Sequence, residues 1–167
     1  MTATENTIET KILDLSEEAR LWIYQSTRPF DDKEVTVLKS QINAFTAEWT
    51  AHNKQLFAAG DVLYNRFIIL AVDENEAGAS GCSIDKSVYF MRGLENQYGM
   101  QLFERLTFAW LEDGKVKTAR SSDFKRLYTE GVLTSETLVF DNLIVSVGDL
   151  KTAWLKPLKE SWHKRFV

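Results

Sequence analysis

Apolar residues recur along this chain at two spacings, and the switches between them predict most of its elements. Residues 21–25, Leu-Trp-Ile-Tyr-Gln, form a short β-forming run that ends in a turn at 26–29. After Asp31 or Asp32 as cap, Val35, Leu38, Ile42, Phe45 and Trp49 recur at steps of three and four, one stripe of a helix over about 33–51. Residues 55–59 and 62–72 flank Gly60-Asp61, a turn between two antiparallel strands. The unbroken apolar run 67–72 suits a central strand covered on both faces. On that strand, Tyr64 and Arg66 share one face, Asn65 and Phe67 the other.

Ile84, Val88, Met91, Leu94 and Tyr98 predict a second helix, capped by Ser83 and ended by Gly99. Gly93 inside it costs about 1 kcal/mol relative to Ala, which a closely packed neighbour would explain. Residues 102–111 read as a strand, turned by Asp113-Gly114 into another at 115–119. Ser121 or Ser122 caps a short helix carrying Phe124, Leu127 and Tyr128. Residues 137–140 and 143–147 are β-like around Asp141-Asn142, as a hairpin or one interrupted strand. Asp149 caps a C-terminal helix with Leu150, Ala153 and Trp154, kinked or restarted at Pro157 before Leu158, Trp162 and Phe166.

Up to residue 111 the order is strand, helix, strand, strand, helix, strand. That is a ferredoxin-like βαββαβ start, with the third strand lying between the first and second. The expected fold is therefore α+β: a single antiparallel sheet with helices mainly on one face, extended by a β-hairpin, a short helix and a C-terminal helix. One pole of that sheet gathers the loop 73–83, His52, Arg20 and the turn 112–114.

Composition adds the scale. With 167 residues, 44% apolar and 26% charged, the chain is one globular domain over 1–167, whose polar residues 1–12 read as a flexible arm. A net charge of -4 gives no general attraction to nucleic acid or to an anionic membrane. Basic residues gather at the end, where Lys151, Lys156, Lys159, Lys164 and Arg165 face only Glu160. That segment either packs on the domain's own acidic surface or binds a partner. Cys82 is the only cysteine, so no internal disulfide forms and a cytoplasmic location is expected. No apolar run is long enough to span a bilayer, and the polar N-terminus reads as neither signal nor transit peptide.

Candidate chemistry concentrates in residues 77–85, where small residues join the central strand to the second helix. Ser80, Gly81, Cys82 and Ser83 would line an anion site, the glycines admitting a ligand and the helix start supplying N–H groups to a phosphate or carboxylate. The alternative is a tight, well-capped connection. Cys82 at that helix start is a candidate nucleophile or redox sensor with His52 as its base, or else a buried, inert thiol. Arg66 is a further ligand-binding candidate, or a structural ion-pair partner. Asp73, Glu74, Glu76 and Asp85 lack the spacing of a calcium loop and read as a solvated turn. Two histidines and one cysteine make a poor structural zinc site, so no metal is assigned. The tryptophans, among them Trp110, Trp154 and Trp162, read as core or interface anchors.

The runs Tyr64-Asn65-Arg66-Phe67, Ala71-Val72-Asp73-Glu74 and Gly78-Ala79-Ser80-Gly81-Cys82-Ser83-Ile84-Asp85 carry a resemblance, together with Trp22-Ile23-Tyr24-Gln25 and Ser161-Trp162. Over residues 21–162 the chain resembles a small family of uncharacterised bacterial proteins often labelled "ABC transporter ATPase". The resemblance implies no activity, ligand or catalytic residue. The label itself fails, because the one Gly-Lys pair, Gly114-Lys115, is followed by Val116 and has Ala109 where a P-loop needs its first glycine. The expectation is a binding or interaction module without a cofactor, holding a small anion at 77–85, with homo-oligomerisation through an exposed sheet face or edge. The alternative is a thiol-dependent enzyme or redox sensor on Cys82. A third reading has the basic C-terminal helix bind a partner.

Overall fold

The computed structural model describes residues 8–74 and 78–167; residues 1–7 of the expected arm, and Glu76 and Ala77 of the loop, lie outside them. The arm is shorter than its polarity suggested, since Lys11–Asp14 form a 3-10 turn capped by Thr10 that buries Ile12 completely.

β1 (Arg20–Gln25) leads into α1 (Asp32–Glu48), where Asp31 and Glu34 close a reciprocal capping box. Leu38 and Ile42, the middle of the stripe, are fully buried. The helix ends at Glu48, short of residue 51, because the chain extends into β2 (Thr50–Ala51). This strand pairs with β3 (Lys54–Gln55) across His52 and Asn53, both at positive φ.

β4 (Phe57–Leu63) runs straight through Gly60 and Asp61, so the expected turn there does not form. Gly60 serves another need: a Cβ at this position would lie 2.4 Å from Ile42 Cγ2, so its absence lets α1 settle on the strand. The turn falls instead on Tyr64 and Asn65, at φ 54° and 52°, closed by the Arg66 N–H donating to Leu63 O at 3.1 Å. Tyr64 and Arg66 therefore belong to a turn and not to a strand face. β5 (Phe67–Asp73) is the expected central strand, with every residue from 67 to 72 at 0% exposure. Ile68, Leu70 and Val72 pack on the helices, and Phe67, Ile69 and Ala71 on the second half of the chain.

α2 (Gly81–Tyr98) takes Ser80 as its cap rather than Ser83, and ends at Gly99 with φ 63°. Gly93 faces open space, so close packing does not account for it. Both helices cover one side of the first sheet, whose order β1-β5-β4 puts the third long strand between the other two, as expected.

Beyond α2 the single sheet of the expectation gives way. β6 (Thr107–Glu112) turns through Asp113 and Gly114 into β7 (Lys115–Arg120). α3 (Phe124–Thr129) follows, and then β8 (Leu138–Phe140), which pairs with the other edge of β6. With both edges filled, β6 has none left for β1, and three sheets result: β1-β5-β4, β2-β3 and β7-β6-β8-β9. Residues 102–106, expected as the start of that strand, bury Leu102 and set Phe103 edge-on to Tyr24 at 5.5 Å.

Residues 143–147 make no strand, only a single bridge from Ser146 to Arg20. α4 (Val147–Thr152) is capped by Ser146 rather than Asp149, and the predicted C-terminal helix stops there. Pro157 ends β9 (Leu155–Pro157), a sheet edge where a missing N–H is tolerated, and 3-10 turns complete the chain. The whole is α+β, with the helices, the first sheet β1-β5-β4 and the four-stranded sheet β7-β6-β8-β9, the second of the two large sheets, stacked about β5. Among the described residues no helix is long and apolar enough to cross a membrane.

Candidate functional site

At the start of α2 the two serines are spent on each other. Ser80 Oγ accepts from the Ser83 N–H at 3.2 Å, and Ser83 Oγ accepts from the Ser80 N–H at 2.7 Å while donating to Ser80 O at 2.8 Å. Ser83 is fully buried, and its carbonyl takes the Trp49 indole N–H at 2.8 Å. A carboxylate already stands at the loop, since Glu74 Oε1 accepts from the Ala79 N–H at 3.3 Å and lies 3.9 Å from Arg20. An anion would meet that negative charge. Gly81 has nothing within 4 Å of an added Cβ, so no close approach there demands a glycine.

The expected pole is partly assembled. The Trp49–Ser83 bond and a 3.5 Å contact from Lys86 Nζ to Thr50 Oγ1 bring the end of α1 and β2 to the start of α2, placing His52 and Cys82 at the same end of the sheet. Both are exposed, so the buried-thiol alternative fails for Cys82. Cys82 opens on a trough of about 880 Å³ between the helices, beside Asp85, Lys86 and Tyr89, and His52 does not line it. The Phe45 and Phe90 rings stack in that trough at 4.4 Å. The turn 112–114 belongs to the second sheet.

Arg66 does not join this group. It sits at the opposite end of β5, buried, with its guanidinium donating to Ser26 O at 3.0 Å, Thr27 O at 3.1 Å and Thr118 Oγ1 at 3.4 Å. Burial pulls its pKa down, and its role is to tie the β1–α1 turn to the second sheet.

A more enclosed cleft, of about 420 Å³, runs along β1 where the first sheet faces the second. Trp22, Gln25, Glu104, Arg105, Asn142 and His163 contribute to its lining. Several of these are held by a hydrogen-bonded chain across sequence-distant segments. Gln25 Nε2 donates to Thr107 O at 3.1 Å, Asn142 Nδ2 to Gln25 Oε1 at 2.9 Å, and Trp154 Nε1 to Asn142 Oδ1 at 2.9 Å. Next to it, Asp141 receives Lys156 Nζ and Trp162 Nε1, each at 2.8 Å, and the Leu143 N–H at 3.0 Å. Burial works to raise the Asp141 pKa, but Lys156 and these donors hold it below the usual carboxylate range.

His163 is 1% exposed and stacks on Trp162, with Nδ1 2.6 Å from Ser161 Oγ. Burial drives its pKa down to about 4, against the upward pull of Asp141 and with the downward push of Lys156. The imidazole is therefore neutral at pH 7. On the same lining, Glu104 Oε1 accepts from the Leu106 N–H at 2.7 Å; burial works to raise its pKa, but bonds from Thr107 and Leu106 hold it below the usual carboxylate range.

Sequence reading missed Gln25, Glu104, Asn142 and His163, single polar residues in unrelated stretches. The available signals were Asp141-Asn142 breaking a β-like segment and Ser161-Trp162 within the resemblance. Among the described residues no group of three or more His, Cys, Asp or Glu is arranged to hold a metal ion. In comparisons with known proteins, no family model, no curated protein and no solved structure matches this chain.

Proposed function

We propose that this protein is a cytoplasmic binding module whose ligand site is the cleft along β1. The observation that supports it most is the cleft itself, about 420 Å³ enclosed between the two sheets and α2, with polar side chains from sequence-distant segments on its lining. On that lining stand a neutral imidazole, two amide side chains and apolar walls, a mixture suited to recognition by shape and a few hydrogen bonds. The anion reading at 77–85 is weaker, because Ser80 and Ser83 cap each other and Glu74 occupies the Ala79 N–H.

The test is a fragment screen by ligand-observed NMR, repeated on Val88→Trp, which places an indole on the cleft wall. Amide- and hydroxyl-bearing fragments should bind the wild type, perturb the fluorescence of Trp22 and Trp162, and lose affinity in the variant. An absence of hits, or hits indifferent to Val88→Trp in a protein of unchanged fold, would overturn the site.

A further inference from the structure

The open edge of β1 is the feature of the cleft that specifies a ligand class. β1 pairs with β5 along one side only. On its other side the pairing is brief: the Leu21 N–H donates to Val145 O at 3.1 Å and the Val147 N–H to Ala19 O at 2.9 Å, after which the chain leaves for α4. Backbone groups alternate in direction along a strand, so the residues that point outward at 19 and 21 are followed by 23 and 25. Ser26, of the other parity, points inward, donating to Arg66 O at 2.8 Å. The Leu21 C=O, both backbone groups of Ile23 and the Gln25 N–H therefore face the cleft, and no described residue bonds to them.

This edge also has walls on both sides. Ile84 and Val88 of α2 line the cleft from the helical layer, and Ala109 of β6 and Ile144 of the segment after β8 from the other side. A chain laid against β1 would become a fourth strand of the first sheet, covered on both faces as β5 is. It would take the place that the sequence order offers to residues 102–111, which β6 leaves empty by pairing with β7 and β8. Charge completes the description. Arg105 is exposed on the cleft with no ion pair among the described residues, and Arg20 at its end lies 4.8 Å over the Trp22 ring and 3.9 Å from Glu74.

Building on the cleft reading, we infer that the ligand is an extended peptide segment, apolar at alternate positions and carrying an acidic residue, which adds to β1 as a strand. Main-chain hydrogen bonds to Ile23 and Gln25 give the affinity, and the layers on either side select its side chains. Arg105 pairs with the acidic residue.

The probe is a library of acetylated peptides of about seven residues, alternating Val, Ile or Phe with Thr or Glu, long enough to follow the edge at ~3.3 Å per residue. Binding should protect the Ile23 and Gln25 amides from hydrogen exchange. It should weaken about tenfold when the paired peptide amide is N-methylated, the loss of one backbone bond with an added clash. Ile23→Pro, a substitution an edge strand tolerates on its open side, should act the same way, and Arg105→Ala should reduce the preference for Glu over Lys. N-methylation leaves the protein untouched, so the test holds even if Ile23→Pro impairs folding. Fragments that bind the cleft while peptides do not would overturn this inference and leave the binding site standing; no binding of either kind removes both. Peptide binding indifferent to N-methylation would sink strand addition. A concentration-dependent dimer abolished by Ile23→Pro would assign the edge to a second copy of the chain instead.

Discussion

Two polar clusters in this protein are built on opposite principles. At residues 80–83 the partners are three positions apart, and Ser80 and Ser83 close a capping box without outside help. Around residues 141–163 the partners come from β1, the start of β6, the residues just after β8, β9 and the C-terminal turn, brought together only by the tertiary fold. The first cluster resembles a site in sequence and is consumed locally. The second is scattered in sequence, yet it holds a neutral histidine and two amide side chains against a cleft. Short sequence separation makes polar groups satisfy one another cheaply, whereas long separation leaves their pairing to the tertiary fold, which can set them beside a cleft.

Mutation should separate the two clusters sharply. Asp141→Ala leaves Lys156 and the Trp162 indole without their acceptor in a mostly buried place, and should cost about 3–5 kcal/mol in urea unfolding. A loss no greater than that of a helix-cap variant would erase the distinction drawn above. The next largest effect is on pH. His163 stays neutral in the folded state down to about 4, while the unfolded chain takes up a proton near 6.5. Stability should be full above that upper value and fall as the pH drops toward the lower one, by roughly 3 kcal/mol at 1.36 kcal/mol per pKa unit. Comparing urea midpoints at several pH values in wild type and His163→Gln checks this, and a slope that survives the substitution would assign it to another group. Ser80→Ala should show the smallest change, about 1 kcal/mol through the lost cap, with little effect on the cleft.

What could be read in advance follows the same division between near and far. The stripe through Leu38 and Ile42, the helix through Met91 and Leu94, and the doubly covered run from Phe67 to Val72 declare themselves because each rests on a short period. The Gly60-Asp61 turn was misplaced for a physical reason: glycine there answers to Ile42 on another element, and the true turn puts Tyr64 in a left-handed conformation that its residue type does not advertise. The single sheet failed because strand order alone does not say how many partners β6 will find downstream. His163 was passed over since nothing near it in sequence marks it, and its partners Ser161, Trp162, Asp141 and Lys156 become a group only once β8 and β9 pair.

The missing side chain at residue 60 also bears on how the molecule can change shape. With Ile42 seated where a Cβ would be, α1 and β4 meet backbone to side chain, and the spacing between them has no slack to take up. Compliance is left to the opposite flank of the sheet, where residues 142–145 and 100–106 border β1 without being part of any strand. A guest beside β1 would thus be accommodated by the younger half of the chain yielding, while the helical half acts as its anvil.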